Sequence, residues 1–483
     1  MSLSKHLFAG SLALVAMASA AGAQTPIVIR GASVIDPIRG TVAPNRTIVV
    51  EGTRIVRVGG PATPVPAGAT IVDGTGQWAI PGLWDMHGHV VVWGMEEVLM
   101  PLNIANGITG FREMWGVTTE LKRVREAVRA GTMVGPRFVF AGNIVDGWPP
   151  TRPGEVVVRT PEEGRHAVDS LVEAGAEFIK VYSLLDSASF TAIAERGRER
   201  GIPIAGHVPM SVSASYAAAQ GQHSTEHLEG VMVGCSREES AIVARRQGWL
   251  RDRQRDSAAA SPLMGEIRNV QSTILASFDV QRCDRLLRSL AARGMYQVPT
   301  MAVLRGISHL GDPAVVVAAR TRYLPPAVRD MWDMIGRDTT FTRDSSSFRV
   351  YNRLEQRVVG RIAALGVPVL AGTDSPNPNT YPAFGLHDEL ELLVGAGFSP
   401  LNALRAATIN PARYFAATDT MGTIAIGKVA DIVLLGGNPL RNIRNTRAIR
   451  TVIANGRLFD RAALDGLLEA AAAKASAPPP TPH

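Results

Sequence analysis

The chain has 483 residues, 46% hydrophobic and 19% charged, a globular mix that excludes wholesale disorder. Its 47 glycines and 31 prolines are scattered, which excludes collagen, and no apolar run of spanning length follows residue 25, which excludes a polytopic membrane protein. The net charge of +7 is interleaved with acids and gives no nucleic-acid patch.

Residues 1–23 read as a signal peptide: a short basic start at Lys5, an apolar stretch from Leu7 to Ala21, and Ala21-Gly22-Ala23 as a small-residue cleavage site. The expected location is periplasmic or secreted, with no stable membrane span once the signal is removed. Residues 24–80 read as short strands, Ile27–Ile29, Ile48–Val50 and Ile55–Val58, separated by turn residues. Residues 417–463 repeat that texture at Gly422–Ile426, Asp431–Leu435, Ile449–Ala454 and Gly456–Leu458. The two segments are expected to form one small β domain from both chain ends. Residues 464–483 read as a helix end and a loose tail.

Between them, residues 81–416 alternate apolar strands with amphipathic helices. Strands are predicted at Phe138–Ala141, Phe178–Tyr182, Ile202–His207, Gln297–Met301 and Val367–Thr373. Helices are predicted at Glu120–Ala130, Pro161–Ala174, Ser187–Arg200 and Pro400–Ala407, the second with Thr160 as N-cap and Pro161 at its first position. Such alternation fits a (β/α)8 barrel or a doubly wound sheet. Two stretches, near 236–278 and 305–366, exceed ordinary connections and read as insertions, the kind that form lids or substrate walls. The two cysteines, Cys235 and Cys283, are compatible with one disulfide or with two buried thiols.

Five predicted strands carry chemistry-bearing residues. Residues two apart in a strand share a side, so His87 and His89 can bind one ion. Only five of the 50 basic residues are lysines, leaving 45 arginines, so Lys180 inside the apolar run Phe178–Tyr182 is conspicuous. A neutral lysine amine can take up CO2 as a carbamate; arginine cannot. His207 and His227 end the next two strand–helix repeats, and Asp374 ends the apolar run Val369-Leu370-Ala371-Gly372-Thr373. Barrel enzymes do their chemistry at these carboxyl ends of strands. Tyr182, on the strand of Lys180, and His387, just beyond Asp374, are candidate substrate contacts.

The order His-x-His, Lys, His, His, Asp resembles the amidohydrolase superfamily. Ile80–His89, Asn410-Pro411-Ala412 and Gly422–Asp431 resemble its flanking segments. Phe178–Tyr182, Gly206–Pro209 and Glu226–Glu229 look closest to its imidazolonepropionase-like and prolidase-like branch. The resemblance implies a (β/α)8 TIM barrel with a small β-sandwich domain formed by both chain ends. It implies two divalent metal ions, zinc by default: His87, His89 and Asp374 on one, His207 and His227 on the other, and N6-carboxylated Lys180 bridging them. A hydroxide between the ions would attack, and Asp374 would move its proton to the leaving group. The implied activity is hydrolysis of an amide or peptide C–N bond in a small molecule of dipeptide or N-acyl amino acid type. A lactone, carbamate, cyclic imide or phosphotriester is the alternative, and a homo-oligomer is compatible with the resemblance. Deamination is disfavoured by the lysine, and a non-enzymatic binding protein by the filled ligand positions. The chain departs from dipeptidase-type relatives in having no histidine in Gly142–Pro150 and Arg112-Glu113 where Arg-Asp is common.

Overall fold

The computed structural model describes residues 25–91, 94–256, 263–338 and 345–477. The expected signal peptide and the last six residues of the expected tail lie outside the described residues. No helix among the described residues is long and apolar enough to cross a membrane.

Both chain ends meet in one eight-stranded mixed sheet. The strand Ile27–Asp36 pairs antiparallel with Thr41–Glu51 and parallel with Thr70–Asp73 and Trp78–Pro81. Trp78–Pro81 then pairs antiparallel with Ile432–Leu435, which continues to Ile449–Ala454 and Arg457–Phe459. Hydrogen bonding therefore makes one continuous sheet where two packed sheets of a sandwich were expected. Register shifts between Ile29 and Val34 interrupt the ladder, and inward β-branched residues such as Ile29, Ile48, Ile432 and Ile453 form a core of their own. The expected strand Gly422–Ile426 does not form. Gly422 and Gly427 bracket it at φ +87° and +86°, and Ile426 is exposed.

The central region is an alternation of parallel strands and helices, as expected. Leu83–Gly88, Ile108–Glu113 and Arg137–Phe140 form one parallel group. Ile179–Val181, Ile204–Gly206, Gln222–Glu226 and Tyr296–Val298 form another. The predicted strand Val367–Thr373 has no regular ladder, yet its backbone joins both groups. Leu370 N donates to Gln297 O at 2.9 Å, and Ala371 O accepts from Met86 N at 2.8 Å. On the other flank Glu177 N donates to Phe140 O at 3.0 Å. Helices Pro161–Ala174 and Ser187–Arg200 fall where the sequence places them, and Thr160 Oγ1 accepts from Glu163 N at 3.2 Å as the N-cap.

The first insertion is a pair of helices, Glu239–Arg255 and Leu263–Ser277. A disulfide between Cys235 and Cys283 closes its base, beside Arg237 N to Ser277 O and Asp279 N to Cys235 O at 2.9 Å each. The second insertion contributes Pro326–Arg337 and the long helix Ser345–Leu365. The C-terminal helix is longer than expected, Arg461–Ala475, because Leu464, Ala471, Ala472 and Ala475 are buried.

Candidate metal centre

His87 and His89 come from the end of the strand Leu83–Gly88. His87 Nδ1 lies 2.7 Å from Glu226 Oε2, and His89 Nδ1 lies 3.3 Å from Glu113 Oε1. Each carboxylate holds one ring nitrogen, so both rings present Nε2 to the same place. There Asp374 Oδ1 lies 3.4 Å from His87 Nε2 and 2.9 Å from His89 Nε2. One ligand atom from each of His87, His89 and Asp374 falls within 4.8 Å of the others, a spacing that can hold a metal ion.

Lys180 is buried in the strand Ile179–Val181, its Nζ 3.4 Å from His87 Nε2. Burial pushes its amine down to about 8, with Glu226 and Asp374 opposing the shift. CO2 uptake needs the neutral amine, and this shift raises its share near neutral pH above that of an ordinary lysine. His227 Nε2 lies 3.9 Å from Asp374 Oδ2. Its Nδ1 lies 2.7 Å from Thr300 Oγ1, whose own proton goes to Pro299 O at 2.8 Å. Thr300 must therefore accept, Nδ1 carries the proton, and Nε2 keeps its lone pair. His207 Nδ1 lies 2.8 Å from Ser183 Oγ and 3.5 Å from Glu229 Oε2. His207 Nε2 is buried with no hydrogen-bond partner. The His207 and His227 ring centroids are 4.9 Å apart. Burial holds both imidazoles below their ordinary range, hence neutral and able to ligate.

Local backbone serves this convergence. His227 and Asp374 sit at φ +60° and +57°, a left-handed conformation that costs free energy in residues other than glycine. Gly206, just before His207, has φ +123°, and a Cβ there would lie 2.2 Å from Val181 O. Burial pushes the Asp374 carboxyl up, but His87 and the hydrogen bond with His89 hold it well below the usual range, so it stays ionised. The side chains of His89 and Asp374 are 13% and 17% exposed against 1% for His87, so the open edge of the group lies at His89 and Asp374.

Beneath the histidines is a buried polar layer that the sequence reading did not assign. Arg112 donates to Glu226 at 2.9 and 3.1 Å, to Met86 O at 2.5 Å, to Ser224 Oγ at 3.0 Å and to Tyr414 Oη at 2.9 Å. Asp85 accepts from His87 N at 3.1 Å and from Thr373 N and Oγ1 at 3.1 and 2.7 Å, tying the first strand to the last. Burial pushes Asp85 up to about 7. The period-two row Gln222, Ser224, Glu226 is the signal that could have revealed the inward polar face.

Tyr182 packs beside the group, its ring centroid 3.9 Å from that of His207 and 4.4 Å from the Arg152 guanidinium carbon. His387 is not brought to the group, which corrects the expectation of a substrate contact. It is buried in the helix Phe384–Gly395, with Nδ1 3.0 Å from Thr446 Oγ1 and Nε2 3.1 Å from Asn106 O, so both ring nitrogens have partners. Burial pushes it down to about 4.

Nearby, Glu389 is fully buried; Oε2 accepts from Ala302 N at 2.8 Å, and Oε1 has no partner. Burial pushes this carboxyl from an ordinary 4.5 up to about 8. The native state then binds a proton that the unfolded chain releases, so stability is lost as pH rises from 4.5 through 8. Glu389→Gln is expected to flatten that decline and to melt higher than wild type at pH 8, but not at pH 4. Thermal unfolding of both proteins across pH checks this; parallel curves would refute it.

The amidohydrolase family pattern matches residues 76–459. The chain belongs to the amidohydrolase family. Among solved structures, this amidohydrolase is similar to a bottromycin amidohydrolase, with 22% identity, a TM-score of 0.73, and coverage of 93% of this chain and 90% of that one. It is also similar to a Xaa-Pro dipeptidase solved with bound methionine, at 18% identity and TM-score 0.64, over 90% of this chain and 100% of that one. These likenesses show a TIM-barrel-like α/β fold. Adenine deaminase 2 of Rhizobium etli is 25% identical over 465 residues, 94% of this chain but 60% of that enzyme. Three further curated relatives match over only 10% to 16% of their own length.

Proposed function

We propose that this amidohydrolase is an exported, binuclear metal-dependent hydrolase that cleaves an amide or peptide C–N bond in a small molecule of dipeptide or N-acyl amino acid type. The observation that carries the reading is the buried, unpartnered Nε2 of His207, facing a group in which every other imidazole is also held by its Nδ1. A buried ring nitrogen without a partner is costly unless a ligand completes it. In this reading residues 81–416 close into a (β/α)8 barrel, and residues 24–80 and 417–463 form the accessory β domain.

His87, His89 and Asp374 would hold one ion, His207 and His227 a second, and carboxylated Lys180 both. Imidazole and carboxylate donors suit zinc. When bound, the ions supply Lewis acidity to the scissile carbonyl and acidify an attacking water. The protein supplies the rest. Glu226, Glu113, Thr300 and Ser183 fix the imidazole orientations. Asp374, ionised and at the open edge, accepts the proton of the attacking water and passes it to the departing amine nitrogen. Tyr182 borders the substrate beside His207. Export agrees with the N-terminal sequence and with the disulfide between Cys235 and Cys283.

The match to an adenine deaminase, over 94% of this chain and 60% of that enzyme, favours one other reading, hydrolytic deamination, which the buried Lys180 opposes. Purified protein is expected to carry about two metal ions per chain, as a bridged site requires, and to release free amino acids from a panel of dipeptides and N-acyl amino acids. Two ions without amide turnover, but with turnover of esters, lactones, phosphotriesters or adenine, would move the activity. An absence of bound metal with full hydrolysis would overturn the mechanism.

A further inference from the structure

The two insertions meet over the metal centre. A cavity runs from His227 and Glu229 between the helices of both insertions, with Met264, Ile267, Ile274, Leu304 and Phe348 as its apolar walls. Among the described residues, one cation lines it. Arg246, on the helix Glu239–Arg255, is only 8% exposed. Its Nε is buried with no hydrogen-bond partner, and among the described residues its guanidinium has no ion pair within 4.0 Å.

A guanidinium stays protonated when buried, so it needs an anion or polar partner. Glu229 and Glu266 attract Arg246 through space, but neither makes a direct ion pair with it within 4.0 Å. Glu266 lies 3.2 Å from the Arg245 guanidinium, and Glu229 lies 3.5 Å from His207 Nδ1. Tyr351 and Glu355 also line the cavity. Burial pushes the Tyr351 phenol well up and Glu355 up to about 7, so neither carries a full negative charge against Arg246 at neutral pH. The cavity thus combines apolar walls, one under-partnered fork of donors, and an opening onto His227.

We propose that Arg246 binds a carboxylate of the substrate, with an apolar portion of the same molecule lying between the insertion helices, so that the preferred substrates are anionic amides with a bulky aliphatic or aromatic group. This rests on the amide-hydrolase reading for its activity arm only. A planar guanidinium matches a carboxylate with two parallel hydrogen bonds, whereas a neutral carboxamide offers one acceptor. Arg246 acts here as a specificity-determining residue and takes no part in bond cleavage.

The test has a binding arm and a catalytic arm. In the first, calorimetry on metal-free protein compares 4-phenylbutyrate with 4-phenylbutanamide, which differ only in the anionic end. Wild type is expected to prefer the carboxylate by about tenfold or more, the scale of a charge-assisted hydrogen bond. Arg246→Met should bring the two ligands close to parity, and Arg246→Lys should keep part of the preference. In the second arm, the kcat/KM ratio of N-acetyl-L-leucine over N-acetyl-L-leucinamide should fall in Arg246→Met mainly through a raised KM. No preference in wild type, or a preference that survives in Arg246→Met, would overturn the assignment. A preference lost in the variant, from an enzyme that hydrolyses neither amide, would uphold Arg246 and count against the amide-hydrolase reading instead.

Discussion

Lys180→Ala is expected to abolish most of the hydrolysis while leaving the protein folded. The amine is buried, lies 3.4 Å from His87 Nε2, and is already pushed down to about 8 by burial. An ammonium in that position costs stability, so removing it should leave the melting temperature of metal-free protein unchanged or higher. The loss should instead appear in the metal. If a carboxylated Lys180 bridges two ions, Lys180→Ala should retain at most one ion tightly. Groups that only orient metal ligands are worth about 10–100-fold. A bridging ligand should exceed that, so a fall of more than about 100-fold in kcat/KM is expected. Lys180→Arg is the sharper control: it keeps a cation in the strand but cannot take up CO2, and it should fail as completely as alanine. Metal analysis by mass spectrometry with steady-state kinetics decides. Full metal content and full activity in either variant would remove Lys180 from the mechanism.

What the sequence made legible follows from period and rarity. His87 and His89 stand out because residues two apart share a strand face, and Lys180 because lysine is scarce in an arginine-rich chain. Helices such as Pro161–Ala174 were legible because cap and period coincide locally. The sites that stayed hidden depend on contacts distant in the chain. Glu226 meets Arg112 across 114 residues and His87 across 139, and nothing within a few positions of any of them announces the meeting. His387 was misplaced for the converse reason. It follows Asp374 closely in sequence, but the helix Phe384–Gly395 turns it toward Asn106 and Thr446. The segment Val367–Thr373 was read as a strand from its apolar run. It does bond to both neighbours, yet without a regular ladder: the bridges are isolated, Gln297 with Val369 inside it and Gly88 with Ser375 just beyond it. The single hydrogen-bonded sheet rests on a pairing that composition cannot encode, the zipper of Trp78–Pro81 onto Ile432–Leu435 across most of the chain.

Breaking the Arg112–Glu226 pair should have the largest effect on stability. Both side chains are fully buried, and the guanidinium bonds both carboxylate oxygens. Removing one member of such a pair leaves an uncompensated buried charge, at a cost of about 3–5 kcal/mol. Arg112→Met and Glu226→Met should therefore each melt well below wild type. The double variant should recover part of the loss, because both charges are then gone. Glu226→Gln separates fold from function. It preserves shape but weakens the hold on His87 Nδ1, so metal affinity should fall about 10–100-fold beyond any loss of stability. The pH dependence gives an independent check. Burial raises the Glu226 carboxyl, but Arg112 and His87 outweigh it and set it far below its ordinary 4.5. A depressed carboxyl contributes stability above its unfolded value and loses it as pH falls toward the folded one. Wild type should accordingly lose stability below pH 4.5, and Glu226→Gln should start lower but decline less steeply there. If the two acid limbs run parallel, the pair does not carry the charge coupling its geometry implies, and the orientation of His87 must come from elsewhere in the layer, with Asp85 the first group to examine.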